Sequence, residues 1–102
     1  MGIYDMFRKR KPIPATWSKY YTDDELDIFR KIPKEYKWCA RDKSKNLYTY
    51  RNKPFKAMDD LCWTSDEYEY GNMSVFKTLF QNVHWEDEEP VFIDDYVERG
   101  VE

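Results

Sequence analysis

Four consecutive carboxylates, Glu86, Asp87, Glu88 and Glu89, stand between Trp85 and Pro90, and Asp94 and Asp95 follow shortly after. Neighbouring acids point in different directions in any regular structure. The run therefore suits neither a calcium loop, whose ligands converge on one point, nor a paired acid and base. It can present a dense negative edge. That edge is either a solvated face or a surface whose charge spacing imitates a nucleic-acid backbone and fits a basic groove on a protein partner. His84 is the one histidine of the chain. At the border of an apolar segment it reads as structural, although Glu86 and Cys62 are the groups with which it could pair as a base or ligand. The sequence has no glycine-rich phosphate loop and no nucleophile elbow. The expectation is a binding protein with no catalytic residues, no metal and no cofactor.

Two other groups of residues offer binding chemistry. Trp38, Tyr50, Trp63 and Tyr68 could stack a base while Arg41 or Arg51 holds a phosphate, which would make the chain a sponge that sequesters a nucleotide signal. Alternatively, Lys37, Arg41, Lys43, Lys45, Arg51 and Lys53, interleaved with Trp38, Tyr48 and Tyr50, resemble a basic surface with stacking rings for nucleic acid. An isoelectric point near 5.2 counts against direct nucleic-acid binding. Aromatic pairs on a sheet also serve commonly as core.

Charged residues make up 36% of the 102 positions, and mean hydropathy is −0.96. That balance alone points toward disorder, but 19% of the residues are aromatic, and each buried ring removes roughly 150–250 Å² from water. One folded domain with an aromatic-rich core follows. Charge is polarised: residues 84–102 hold eight acids against Arg99, a sum of −7, so a net charge of −3 leaves +4 for the rest. A basic cluster, Arg8, Lys9, Arg10 and Lys11, lies near the start. Cys39 and Cys62 lack metal-binding spacing and read as free thiols in a reducing cytoplasm. No apolar stretch has the length of a signal peptide or a membrane span, and Met6 stands where a myristoylation motif requires Ser or Thr.

The elements that must position these groups are legible in part. Residues 1–21 read as an arm whose aromatics Trp17, Tyr20 and Tyr21 dock on the body, 22–97 as the globular core, and 98–102 as a frayed end. Thr22 with Glu25 forms a capping box that opens a helix with Leu26, Phe29 and Ile32 on one face, closed by Pro33. Alternation at Tyr36, Trp38 and Ala40, a polar turn at 42–46 and the run 47–51 predict a β-hairpin. Residues 61–64 and 68–70 predict two further short strands joined as a second hairpin. Val75, Phe76, Leu79, Phe80 and Val83 paint a helical stripe, and Val91, Phe92, Ile93, Tyr96 and Val97 predict a short strand or helical turn. The fold class is α+β: a small antiparallel sheet of three to four strands with an N-terminal and a C-terminal helix packed on it.

Three segments, Ile32 to Asp42, Ser74 to Phe80, and His84-Trp85-Glu86-Asp87-Glu88-Glu89-Pro90, resemble small accessory proteins of phages and prophages of Gram-positive bacteria. The resemblance spans roughly residues 22–93, and its most specific part is the Trp-Glu-Asp-Glu-Glu-Pro motif. It implies a protein that acts on host machinery, an anti-CRISPR or similar anti-defence inhibitor in the bacterial cytoplasm. The expected partner is a nucleic-acid-handling nuclease of the host, type II CRISPR in particular, bound through Glu86, Asp87, Glu88, Glu89, Asp94 and Asp95.

Overall fold

A computed structural model describes residues 20–66 and 69–99. The basic cluster Arg8–Lys11, Trp17 and Tyr68 lie outside the described residues, as do 100–102.

Helix α1 spans Asp23–Lys31. Thr22 Oγ1 accepts from the Glu25 N–H at 3.1 Å and Glu25 Oε1 accepts from the Thr22 N–H at 3.0 Å, so two otherwise orphaned amides are satisfied reciprocally. Asp23, Asp24 and Glu25 in the first turn and Arg30 and Lys31 in the last complement the helix dipole. Phe29 is fully buried, while the helix closes at Ile32 in extended conformation immediately before Pro33.

Strands β1 (Trp38–Arg41) and β2 (Leu47–Tyr50) form a hairpin, and β5 (Tyr70–Asn72) and β6 (Val91–Phe92) extend it to a four-stranded antiparallel sheet ordered β5-β2-β1-β6. A separate antiparallel pair joins β3 (Phe55–Ala57) to β4 (Cys62–Thr64). β4 and β5 therefore do not pair with each other as the second hairpin expected from 61–64 and 68–70: β4 folds back on β3, and β5 takes the free edge of β2. The chain leaves the sheet at 51–54 after β2, and Phe55 to Ala57 then pairs three residues with β4.

The period of two along β1 and β2 separates two cores. One face sends Cys39 and Leu47 into a cluster with Phe29, Met73, Phe80, Val83, Val91 and Ile93. The other sends Ala40 and Tyr50 against Trp63 of the small sheet, flanked by Trp38, Tyr48 and Trp85. The large sheet is thus a middle layer with α1 and the 73–83 segment on one side and the β3–β4 hairpin on the other. Tyr21 packs into the first core, edge-on to Phe29 at 5.2 Å and to Tyr96 at 5.0 Å, whereas Tyr20 is 83% exposed.

The expected C-terminal helix does not form. Ser74–Phe76 makes one 3-10 turn, and the chain then passes through turns to Val83. Phe80 adopts φ 57°, a left-handed conformation that ends any helix and costs a bulky residue roughly 1–3 kcal/mol. Two buried charges hold it there. Glu25 Oε2 accepts from the Phe80 N–H at 2.6 Å, and Arg41 donates to the Phe80 carbonyl at 2.9 Å. The stripe at Phe76, Leu79, Phe80 and Val83 still packs on the sheet, but Val75 is 82% exposed.

Candidate functional site

Residues 84–95 follow directly from that segment. His84 to Asp87 is a turn closed by the His84 N–H, which donates to Asp87 Oδ2 at 3.0 Å. Pro90, Val91 and Ile93 are buried, β6 pairs with β1, and the Ile93 N–H donates to the Lys37 carbonyl at 2.9 Å. Ile93–Asp95 forms a second 3-10 turn. The segment is therefore anchored by its buried apolar residues, and Glu86, Glu88 and Asp94 are exposed.

The six acids do not all carry free charge. Asp87 caps the His84 turn, Glu89 Oε1 meets Lys53 Nζ at 2.9 Å, and Asp94 Oδ1 accepts from Arg99 Nε at 2.9 Å. Asp95 has a partner as well. Glu86 and Glu88 have no ion pair or hydrogen bond among the described residues. Glu86 borders a cleft of about 230 Å³ that Lys43, Lys45, Lys77 and His84 also line. The side chain of Arg99 is 1% exposed and donates to the carbonyls of Ile32 and Pro33, so it fastens the chain after the acidic turn to the end of α1.

The residues proposed for a nucleotide pocket are not brought together as a set. Tyr50 and Trp63 line one cleft, of about 220 Å³, with Tyr48, Tyr70, Asp42 and Ser65. Trp38 instead packs on Phe92 at 4.8 Å, with Lys53 Nζ 5.7 Å from its ring centre. Arg41 is buried on the opposite face of the sheet. Its Nε donates to the Val83 carbonyl at 2.7 Å, Nη1 to those of Lys45 and Lys77 at 2.8 and 3.1 Å, and Nη2 to those of Leu79 and Phe80 at 2.8 and 2.9 Å. A guanidinium has five N–H donors. All five are used, which leaves none for a phosphate, and burial pulls its pKa below the ordinary arginine value. Arg51 is paired with Glu69.

The cleft has a physical logic that the sequence shows only in retrospect. Tyr48 and Tyr50 alternate onto one face of β2, and the register sets Tyr70 of β5 opposite Tyr50. Tyr70 is edge-on to Tyr48 at 5.4 Å and tilted to Tyr50 at 6.3 Å. Asp42, just past β1, accepts from the Trp63 N–H through Oδ1 at 2.9 Å, and Tyr50 donates from its hydroxyl to the Trp63 carbonyl at 3.2 Å. Desolvation raises the pKa of the Asp42 carboxyl and of the Tyr50 hydroxyl. The i, i+2 tyrosines were readable as a shared face. The arrival of Tyr70 and Asp42 depends on a pairing across 20 residues and was not readable.

Both cysteines are free thiols. Cys39 is fully buried and burial pushes its pKa up to about 12, while Cys62 is partly exposed. Among the described residues, no group of three or more His, Cys, Asp or Glu is placed to hold a metal, and no helix is long and apolar enough to cross a membrane. No family model, curated protein or solved structure matches the chain.

Proposed function

We propose that the chain is a non-enzymatic, phage-type anti-defence protein that binds a host protein in the bacterial cytoplasm and blocks a basic nucleic-acid groove with the edge Glu86–Asp95. The expected target is a type II CRISPR nuclease. One observation supports this reading above the others: the acidic run is not a loose tail but is pinned by β6, by buried Pro90, Val91 and Ile93, and by Arg99. Acids already ordered before binding lose little conformational freedom at an interface, so more of their electrostatic attraction appears as affinity.

Internal pairing directs the work to particular residues. Asp87 and Glu89 are occupied within the fold, so neutralising all four consecutive acids would disturb structure as well as charge. Glu86→Gln/Glu88→Gln removes charge without removing an internal contact among the described residues. In a target-DNA cleavage assay with a type II nuclease and its guide, the wild-type chain should inhibit and this double variant should inhibit about tenfold less well, since two such charges contribute on the order of 1–2 kcal/mol, or about five- to thirtyfold. A folded wild-type chain that leaves cleavage unaffected removes the nuclease as target. The signal-sponge reading lacks a phosphate anchor at Arg41, and the nucleic-acid reading loses Arg41, Arg51 and Lys53 to internal partners.

A further inference from the structure

The cleft between the two sheets is lined by Tyr48, Tyr50, Trp63 and Tyr70 and by Asp42, and among the described residues no Lys, Arg or His lines it. Aromatic rings beside a carboxylate favour a cation over an anion. Asp42 Oδ1 is committed to the Trp63 N–H, and its Oδ2 has no partner among the described residues. The chain already places its own cations over some of its rings, Trp63 of the cleft wall among them. Lys56 Nζ stands 5.4 Å from the Trp63 ring centre and 4.5 Å from that of Trp85, and Arg51 stands 5.9 Å from that of Tyr36. Tyr48, Tyr50 and Tyr70 have no such cation among the described residues. Tyr70 is 54% exposed at the rim, so the cleft opens to solvent.

Size narrows the ligand. A volume of about 220 Å³ falls below the roughly 300–1,000 Å³ typical of sites that enclose a whole small molecule. It matches one side-chain head group better than a base, sugar and phosphate together. We infer that this cleft is an aromatic cation site, and that it accepts the arginine or lysine side chain of a bound protein. The site rests on the cleft alone and does not depend on the acidic edge, but a partner with a basic groove would be rich in suitable side chains.

The test is an NMR titration of the full chain with four probes: N-acetyl-arginine methylamide, N-acetyl-lysine methylamide, tetramethylammonium and AMP. The arginine or lysine probe should shift the ring signals of Tyr48, Tyr50, Tyr70 and Trp63 saturably, and AMP should not. Tyr70→Ala and Asp42→Asn should each weaken the response at least about threefold. The first removes an exposed ring, and the second keeps the acceptor for the Trp63 N–H while removing the charge. Shifts from AMP without shifts from the cationic amides overturn the proposal, as do cation shifts unchanged in both variants. A response to tetramethylammonium alone overturns the side chain as occupant.

Discussion

At the scale of single residues, Arg41 and Glu25 do the most unusual work. Arg41 is a buried cation, 7% exposed, whose described hydrogen-bond partners are main-chain carbonyls rather than a carboxylate. Removing it takes a donor from five main-chain carbonyls, two of the bonds buried and three part-buried. Arg41→Met should therefore cost about 3–5 kcal/mol, a large part of the ~5–15 kcal/mol available to a domain. Arg41→Lys, with three donors, should recover part of that. Urea unfolding of both variants checks the order, and an Arg41→Met protein within 1 kcal/mol of wild type would contradict it. Glu25→Gln keeps the size but presents one carboxamide oxygen to two donors, the Thr22 and Phe80 amides, so it should cost about 1–3 kcal/mol. The thiols divide by burial. A disulfide reagent should label Cys62 in the native protein, whereas Cys39 should react only on unfolding; equal labelling rates would refute its burial. The folded Cys39 pKa lies above the ordinary thiol value, so its stabilising contribution is present below about pH 9 and declines as pH rises toward about 12.

At the scale of elements, the sequence was most informative where the determinants are local. Thr22 and Glu25 are three residues apart, and the turn at 42–46 joins strands adjacent in sequence, so the α1 cap and the β1–β2 hairpin were both readable. The 74–83 segment was not. Its apolar spacing is helical, but Glu25 and Arg41 arrive from distant parts of the chain and capture the amide and carbonyl of Phe80 before a helix can use them. Likewise the partners of β4, β5 and β6 are set by tertiary layering. Gly71 shows how close that layering is: a Cβ there would lie 2.5 Å from Thr49 Oγ1 on the paired strand. Gly71→Val should loosen β5 and with it the position of Tyr70, read as faster amide exchange at β5 and β2 than in wild type. Unchanged protection in that variant would mean that the β2–β5 contact is looser than described.

At the scale of the whole molecule, the layers predict an order of opening. β1 is paired on both sides and covered on both faces, while the β3–β4 hairpin carries exposed Phe55, Met58 and Leu61. Hydrogen exchange should therefore be slowest at Cys39 and Ala40 and fastest among strands at β3–β4; the reverse order would contradict the three-layer arrangement. The same architecture explains why the candidate sites were only partly legible. The acidic run is visible as composition, but the pairing of Glu89 is not, because Lys53 reaches it from 36 positions away through the fold. The aromatic cleft was anticipated at Tyr50 and Trp63 and missed at Tyr48, Tyr70 and Asp42. Arg41, assigned to a phosphate, is instead a structural hub on the other face.

The central claim is that a pre-ordered acidic edge carries binding to a basic groove. The most direct measurement is the affinity of wild type and Glu86→Gln/Glu88→Gln for a purified type II nuclease–guide complex, at low and high salt, with melting temperatures taken alongside. The double variant should bind about tenfold more weakly at low salt, the gap should close as salt screens the charges, and melting should be unchanged. Equal affinity at low salt in a variant that melts like wild type would contradict the claim.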